Sequence, residues 1–211
     1  MKKILSLALA AVMVAGLAAC GNSSNTTTAA ETEAATETTA ETEASAEADK
    51  PETITIQALN ASAELADIEV PYDPQRIAIL DLACLDILDN LGLGDRVVGC
   101  ASTSIDYLQS YVTDENIVNL GTIKEADLEA VMACEPDIIF IGGRLSSYYD
   151  ALNEIAPVVY IATDVEQGLV KSVSNNAKTI ASIFGKEDEI DAKLADFDER
   201  ITALAEFAEG K

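Results

Sequence analysis

The stretch from Pro136 to Arg144 constrains the fold most. The apolar run Ile138-Ile139-Phe140-Ile141 leads into Gly142-Gly143 and then Arg144. An uninterrupted run of β-branched and aromatic residues fits a strand buried on both faces, as in a parallel sheet. The two glycines end the strand and permit a tight turn. Arg144 then stands at the carboxyl end of a central strand, where open α/β sheets bind their ligands. Taken alone, the stretch favours a plainer reading, in which the arginine pairs with a neighbouring carboxylate.

The rest of the chain supplies the context. Thr53–Ile56 alternates polar and apolar residues as a half-buried strand does, and Ala66–Val70 reads as its hairpin partner. Further short buried runs follow at Arg76–Leu80, Arg96–Cys100, Ile117–Leu120 and Val158–Ile161. Between them lie segments of helical period: Leu82–Leu91, Tyr107–Val112, Glu125–Cys134 and Ser146–Ile155. Strands alternating with short helices argue for βαβ units and a parallel sheet. Right-handed crossovers put every strand-to-helix loop on one edge. Asp81, Ser102, Thr103, Gly121, Thr122 and Arg144 all fall in such loops. Two longer helices are expected after them. Val165–Phe184 carries Leu169, Val173, Ala177, Ile180 and Phe184 on one stripe, and Glu187–Glu209 carries Ile190, Leu194, Phe197, Ile201 and Leu204. At ~1.5 Å per residue, the last helix is roughly 35 Å long.

Composition excludes several functions. With 37 acidic and 13 basic residues, the formal charge is -24, so the basic footprint of a nucleic-acid binder is absent. The chain has no histidine, the commonest general base and metal ligand. No Cys-x-x-Cys or other metal-ligand spacing occurs, and no spacing of carboxylates, tyrosines, lysines or thiols suggests a catalytic site. A non-enzymatic protein without a resident cofactor or metal is expected. Cys84, Cys100 and Cys134 are an odd set in apolar contexts; buried free thiols are the default, with one disulfide of unreadable connectivity as the alternative.

The first residues read as an address rather than a fold. A basic Met1-Lys2-Lys3 precedes an apolar stretch from Ile4 to Ala18, the pattern of a signal peptide over residues 1–20. It closes on Leu17-Ala18-Ala19-Cys20-Gly21, which resembles the lipobox of bacterial lipoproteins and implies lipid attachment at Cys20. Residues 21–51 are rich in Thr, Ala, Glu and Ser with almost no large apolar side chains. Such a segment cannot offset its ordering entropy by burial and is expected to be a disordered acidic linker. The globular part then divides into an α/β lobe over 52–185 and a long helix over 186–211.

With these elements placed, the chain resembles the substrate-binding lipoproteins of iron–siderophore ABC importers. The matching stretches are Asp81–Gly92 (DLACLDILDNLG), Asn119–Thr122 (NLGT), Asp127–Asp137 (DLEAVMACEPD), Ile141–Arg144 (IGGR) and Tyr148–Pro157 (YYDALNEIAP). Each is weak alone, and their order and spacing make the match specific. The last two are most similar to the branch that takes up ferric catecholate-type siderophores. The resemblance implies one lobe of a two-lobed protein, with a parallel sheet flanked by helices and a long interlobe helix. A carboxyl-terminal lobe would begin near Lys211, so the resemblance points to a fragment or truncated frame rather than a half-protein.

The resemblance also implies roles. Arg144 would supply permanent charge and a planar fork of donors to an anionic iron(III)–siderophore complex. Ser102, Thr103 and Thr122 would add neutral hydrogen bonds, and Tyr148 would line the cleft unless it serves helix packing. Glu129 would dock onto arginines of a membrane permease. The protein would act outside the cytoplasm as a monomer, anchored to the cell membrane by its lipid. Cobalamin or haem capture by the same fold, or a surface lipoprotein with no transport role, are the alternatives.

Overall fold

The computed structural model describes residues 51–210; the expected signal peptide, Cys20 and most of the linker lie outside the described residues. Strands β1 (Thr53–Leu59) and β2 (Leu65–Pro71) form the expected hairpin, in register from Thr53–Pro71 to Leu59–Leu65. Strands β3 (Ile77–Ile79), β4 (Val97–Cys100), β5 (Val118–Asn119), β8 (Ile138–Ile141) and β9 (Val158–Tyr160) run parallel to one another. The sheet order is β2-β1-β9-β8-β3-β4-β5, so β8 lies in the middle and the antiparallel hairpin caps one side.

The central strands are apolar throughout because helices cover both faces. Ile77, Ile79, Ile138, Phe140 and Val159 point into a core shared with α1 (Leu82–Asn90), α5 (Leu169–Ile183) and the start of α6 (Glu187–Glu209). Their neighbours Ala78, Leu80, Ile139, Ile141 and Val158 point the other way. They pack with Val131 of α3 (Leu128–Ala133) and Leu152 of α4 (Tyr149–Asn153). Successive strand residues face opposite layers, so β8 has no residue that can be polar. The result is a mixed α/β fold with a mostly parallel sheet, flanking helices and a long final helix, as the sequence predicts.

Local detail differs in four places. The helix expected over Glu125–Cys134 begins only at Leu128, because β6 (Gly121–Thr122) and β7 (Glu125–Ala126) pair as a small hairpin and Asp127 caps the helix. Asp127 Oδ1 accepts from Ala130 N at 3.0 Å, the N-cap bond that sets where a helix starts. The segment after β8 is a 3-10 turn through Tyr148 before α4 begins. On α5, Leu169 and Val173 of the expected stripe are exposed, while Ser172 is buried and accepts from Asp164 N at 2.8 Å. The helix between β4 and β5 is α2 (Gln109–Thr113), entered through a 3-10 turn. Cys84, Cys100 and Cys134 are free and buried.

Candidate functional site

The carboxyl ends of β9, β8 and β3 meet beneath α1 and α5 around a cavity of about 340 Å³. Its wall includes Asp81 after β3, Gly142, Gly143 and Arg144 after β8, and Ile161, Ala162 and Thr163 after β9. Backbone bonds hold these exits in place: Leu80 N donates to Phe140 O at 2.8 Å and Ile161 N to Ile141 O at 3.1 Å. Ile87, Ile123 and Val173 add apolar surface.

Asp81 fixes the floor. Its Oδ1 accepts from Ala83 N at 3.0 Å and Cys84 N at 3.1 Å, capping α1. Its other oxygen lies so near Gly142 that a Cβ there would approach to 2.2 Å. The Cys84 thiol beside it is buried, and desolvation, reinforced by the Asp81 charge, pushes its pKa well up. A thiol so placed stays neutral and unreactive.

Arg144 is exposed in the turn after β8 and forms no ion pair among the described residues. The other arginines are engaged. Arg96 bonds Asp73 at 2.6 Å, Arg200 bonds Asp196 at 2.7 Å, and Arg76 donates to the carbonyls of Glu135 and Cys134. The ion-pair reading of a lone arginine holds for Arg96 and Arg200 and not for Arg144.

The remaining residues singled out in the sequence do not gather at this cavity. Ser102 Oγ donates to Gly121 O at 2.9 Å, and Thr103 Oγ1 accepts from Ile105 N at 3.1 Å. Thr122 Oγ1 accepts from Lys124 N at 3.2 Å and Glu125 N at 3.1 Å. Ser102 thus ties the end of β4 to β6, while the two threonines close their own turns; all three follow β4 or β5, away from β9 in the sheet order. Tyr148 is half-buried against the α3–α4 layer. Glu129 is exposed in the first turn of α3. Sequence reasoning missed Thr163, Val173 and Asn176 as cavity residues. The β9 exit follows the same edge rule as β8 and could have been found; the α5 residues arrive only through packing.

A cavity at the carboxyl edge of a mostly parallel sheet, lined by an arginine and apolar side chains among others, lies where open α/β sheets bind their ligands. Residues 77–211 match the family described as periplasmic binding protein, and the chain belongs to that family. It is 31% identical over 209 residues to the petrobactin-binding protein YclQ of Bacillus subtilis, covering 99% of this chain and 59% of that protein. The crystal structure of YclQ superposes with a TM-score of 0.70 at 32% identity, over 76% of this chain and 55% of that one. The periplasmic catecholate-siderophore binding protein VctP of Vibrio cholerae gives a TM-score of 0.67 at 27% identity, over 75% and 55%. The iron uptake ABC transporter substrate-binding protein PiuA of Streptococcus pneumoniae gives 0.68 at 30% identity, over 76% and 55%. These relatives are binding proteins, not enzymes, in keeping with the composition. The chain spans less than two thirds of the length of each.

Proposed function

We propose that this chain captures an iron(III)–siderophore complex, of anionic catecholate type, for an ABC importer. The observation that carries the reading is Arg144: an exposed guanidinium without an ion-pair partner among the described residues, at a sheet-edge cavity, in a chain of net charge -24. Supporting it, the relatives' names specify petrobactin, catecholate siderophores and iron uptake. In this reading residues 52–185 form one lobe, the helix over 186–211 joins it to a second, and the iron complex is cargo rather than cofactor. Lipid on Cys20 and the acidic linker hold the protein at the outer face of the membrane, and Glu129 meets the permease.

Titration with a ferric catecholate, followed by tyrosine emission, tests the role of the arginine. A charge-assisted bond contributes about 1.5–3 kcal/mol, so Arg144→Ala weakens binding by roughly ten- to a hundredfold. Arg144→Lys recovers part of it, since charge remains but the fork of donors does not. Unchanged affinity in the alanine variant overturns the assignment. Glu129→Ala leaves ligand affinity intact and lowers cellular uptake; normal uptake counts against docking.

A further inference from the structure

One residue of the cavity wall comes from outside the strands and helices that form the rest. The others belong to the exits of β3, β8 and β9 or to α1 and α5, whereas Ile123 sits in the turn between β6 and β7. β6 follows β5, the outermost strand, and β4 stands between β5 and β3. To reach the cavity, the β6–β7 hairpin must therefore fold back across the end of β4. Ile123 is half-buried and packs with the layer that holds Leu120, Ala126 and Leu145. β7 lies against the turn that carries Arg144.

The fold-back is held by hydroxyls that the sequence resemblance assigns to the ligand. Just past β4, Ser102 grips one carbonyl twice: its N and its Oγ both donate to Gly121 O at 2.9 Å. Leu120 N donates to Cys100 O and Asp127 N to Leu120 O, each at 3.0 Å, which fixes both feet of the hairpin. Gly121 has φ +97°, and a Cβ there would lie 2.5 Å from Glu125 O, so the two strands close only around a glycine. At the tip, Thr122 Oγ1 accepts from Lys124 N at 3.2 Å and Glu125 N at 3.1 Å, closing the turn around Ile123. Both hydroxyls are engaged by the backbone, and what they determine is where Ile123 stands.

We infer that Ser102 and Thr122 are positioning residues, which act on the ligand only through Ile123, the apolar contact that the braced hairpin holds at the cavity. The inference rests on the reading of this cavity as the siderophore site. Binding of gallium(III) tris-catechol to the full chain, in double-mutant cycles, tests it. Ile123→Ala removes apolar contact and weakens binding about tenfold. Ser102→Ala and Thr122→Val each remove about one net hydrogen bond from the brace and weaken binding about fivefold. Neither has an effect once Ile123 is alanine, because nothing is left to position. A hydroxyl that touched the ligand itself would keep its effect in that background, and one that served the fold alone would have no effect in either. Losses that add, or no loss in the unmodified background, overturn the inference. Thr122→Ser keeps the acceptor oxygen and binds like the unmodified chain; binding as weak as that of Thr122→Val would show that the oxygen does not set the turn. Should Ser102→Ala unfold, the Thr122 cycle decides, since that side chain is exposed and outside the core. Binding that falls in Arg144→Ala while the hydroxyl losses add leaves the siderophore reading standing and sinks the positioning role alone. If the unmodified chain does not bind the probe, the siderophore reading fails and the positioning role falls with it.

Discussion

At Gly142 a side chain would have nowhere to go, since a Cβ would lie 2.2 Å from Asp81 Oδ2 and 3.0 Å from its Cγ. The carboxylate cannot swing aside freely, because its other oxygen caps α1 through Ala83 N and Cys84 N. Gly142→Ala therefore destabilises by about 1–3 kcal/mol, the usual cost of overpacking. Asp81→Ala alone loses a helix cap, costing about 1 kcal/mol. Combined, the two substitutions cost less than their sum, because the second removes the atoms with which the first collides. Strictly additive losses in urea unfolding would show that the contact is slack. The glycine pair is visible in the sequence as a turn; that Gly142 makes room for a carboxylate remote in sequence is not.

Among the elements, α6 shows how far a periodic pattern can be trusted. Its extent, Glu187–Glu209, matches the apolar spacing closely, yet Ile190 is its one buried residue. Leu194 packs partly against the core, whereas Leu204 is 64% exposed and Phe207 62%. Periodicity reports a face that can be buried and not whether anything in the chain covers it. Ile190→Ala should cost about 2–4 kcal/mol, as buried Ile-to-Ala changes do, and Leu204→Ala within about 0.5 kcal/mol of nothing. Chemical denaturation of the two variants distinguishes them, and equal losses would mean that the distal helix contributes to the described core. The start of α3 teaches the converse. Its pattern allowed a helix from Glu125, but the β6–β7 pairing holds Glu125 and Ala126 extended, and the Asp127 cap sets the boundary.

For the whole molecule, neutral thiols and phenols in the core set an alkaline limit. Burial raises the pKa of Cys84 well above 9.0, that of Cys100 to about 11, and those of Cys134 and Tyr111 upward as well. An unfolded thiol ionises near pH ~8.5, so above that pH the unfolded chain binds fewer protons than the folded one. Stability is then complete below the unfolded value and falls as the pH rises through about 11 for Cys100. Thermal unfolding should show the melting temperature constant from pH 7 to about 8 and dropping steadily above pH ~9. Cys100→Ala, scanned alongside, should flatten part of the slope; an unaltered slope would remove Cys100 from the account. What the sequence determined by itself is the layered α/β architecture, because a run such as Ile138–Ile141 can be buried only between two layers of helices. It also placed Arg144 at the carboxyl edge, since strand direction and crossover hand leave no other place for it. Only the tertiary structure decided which edge residues share a cavity. Sheet order sets β9, β8 and β3 side by side and leaves Ser102, Thr103 and Thr122 beyond them, their hydroxyls bonded to backbone atoms there. That order depends on long-range pairing and on the packing of α5 across the sheet, which no local pattern of residues encodes.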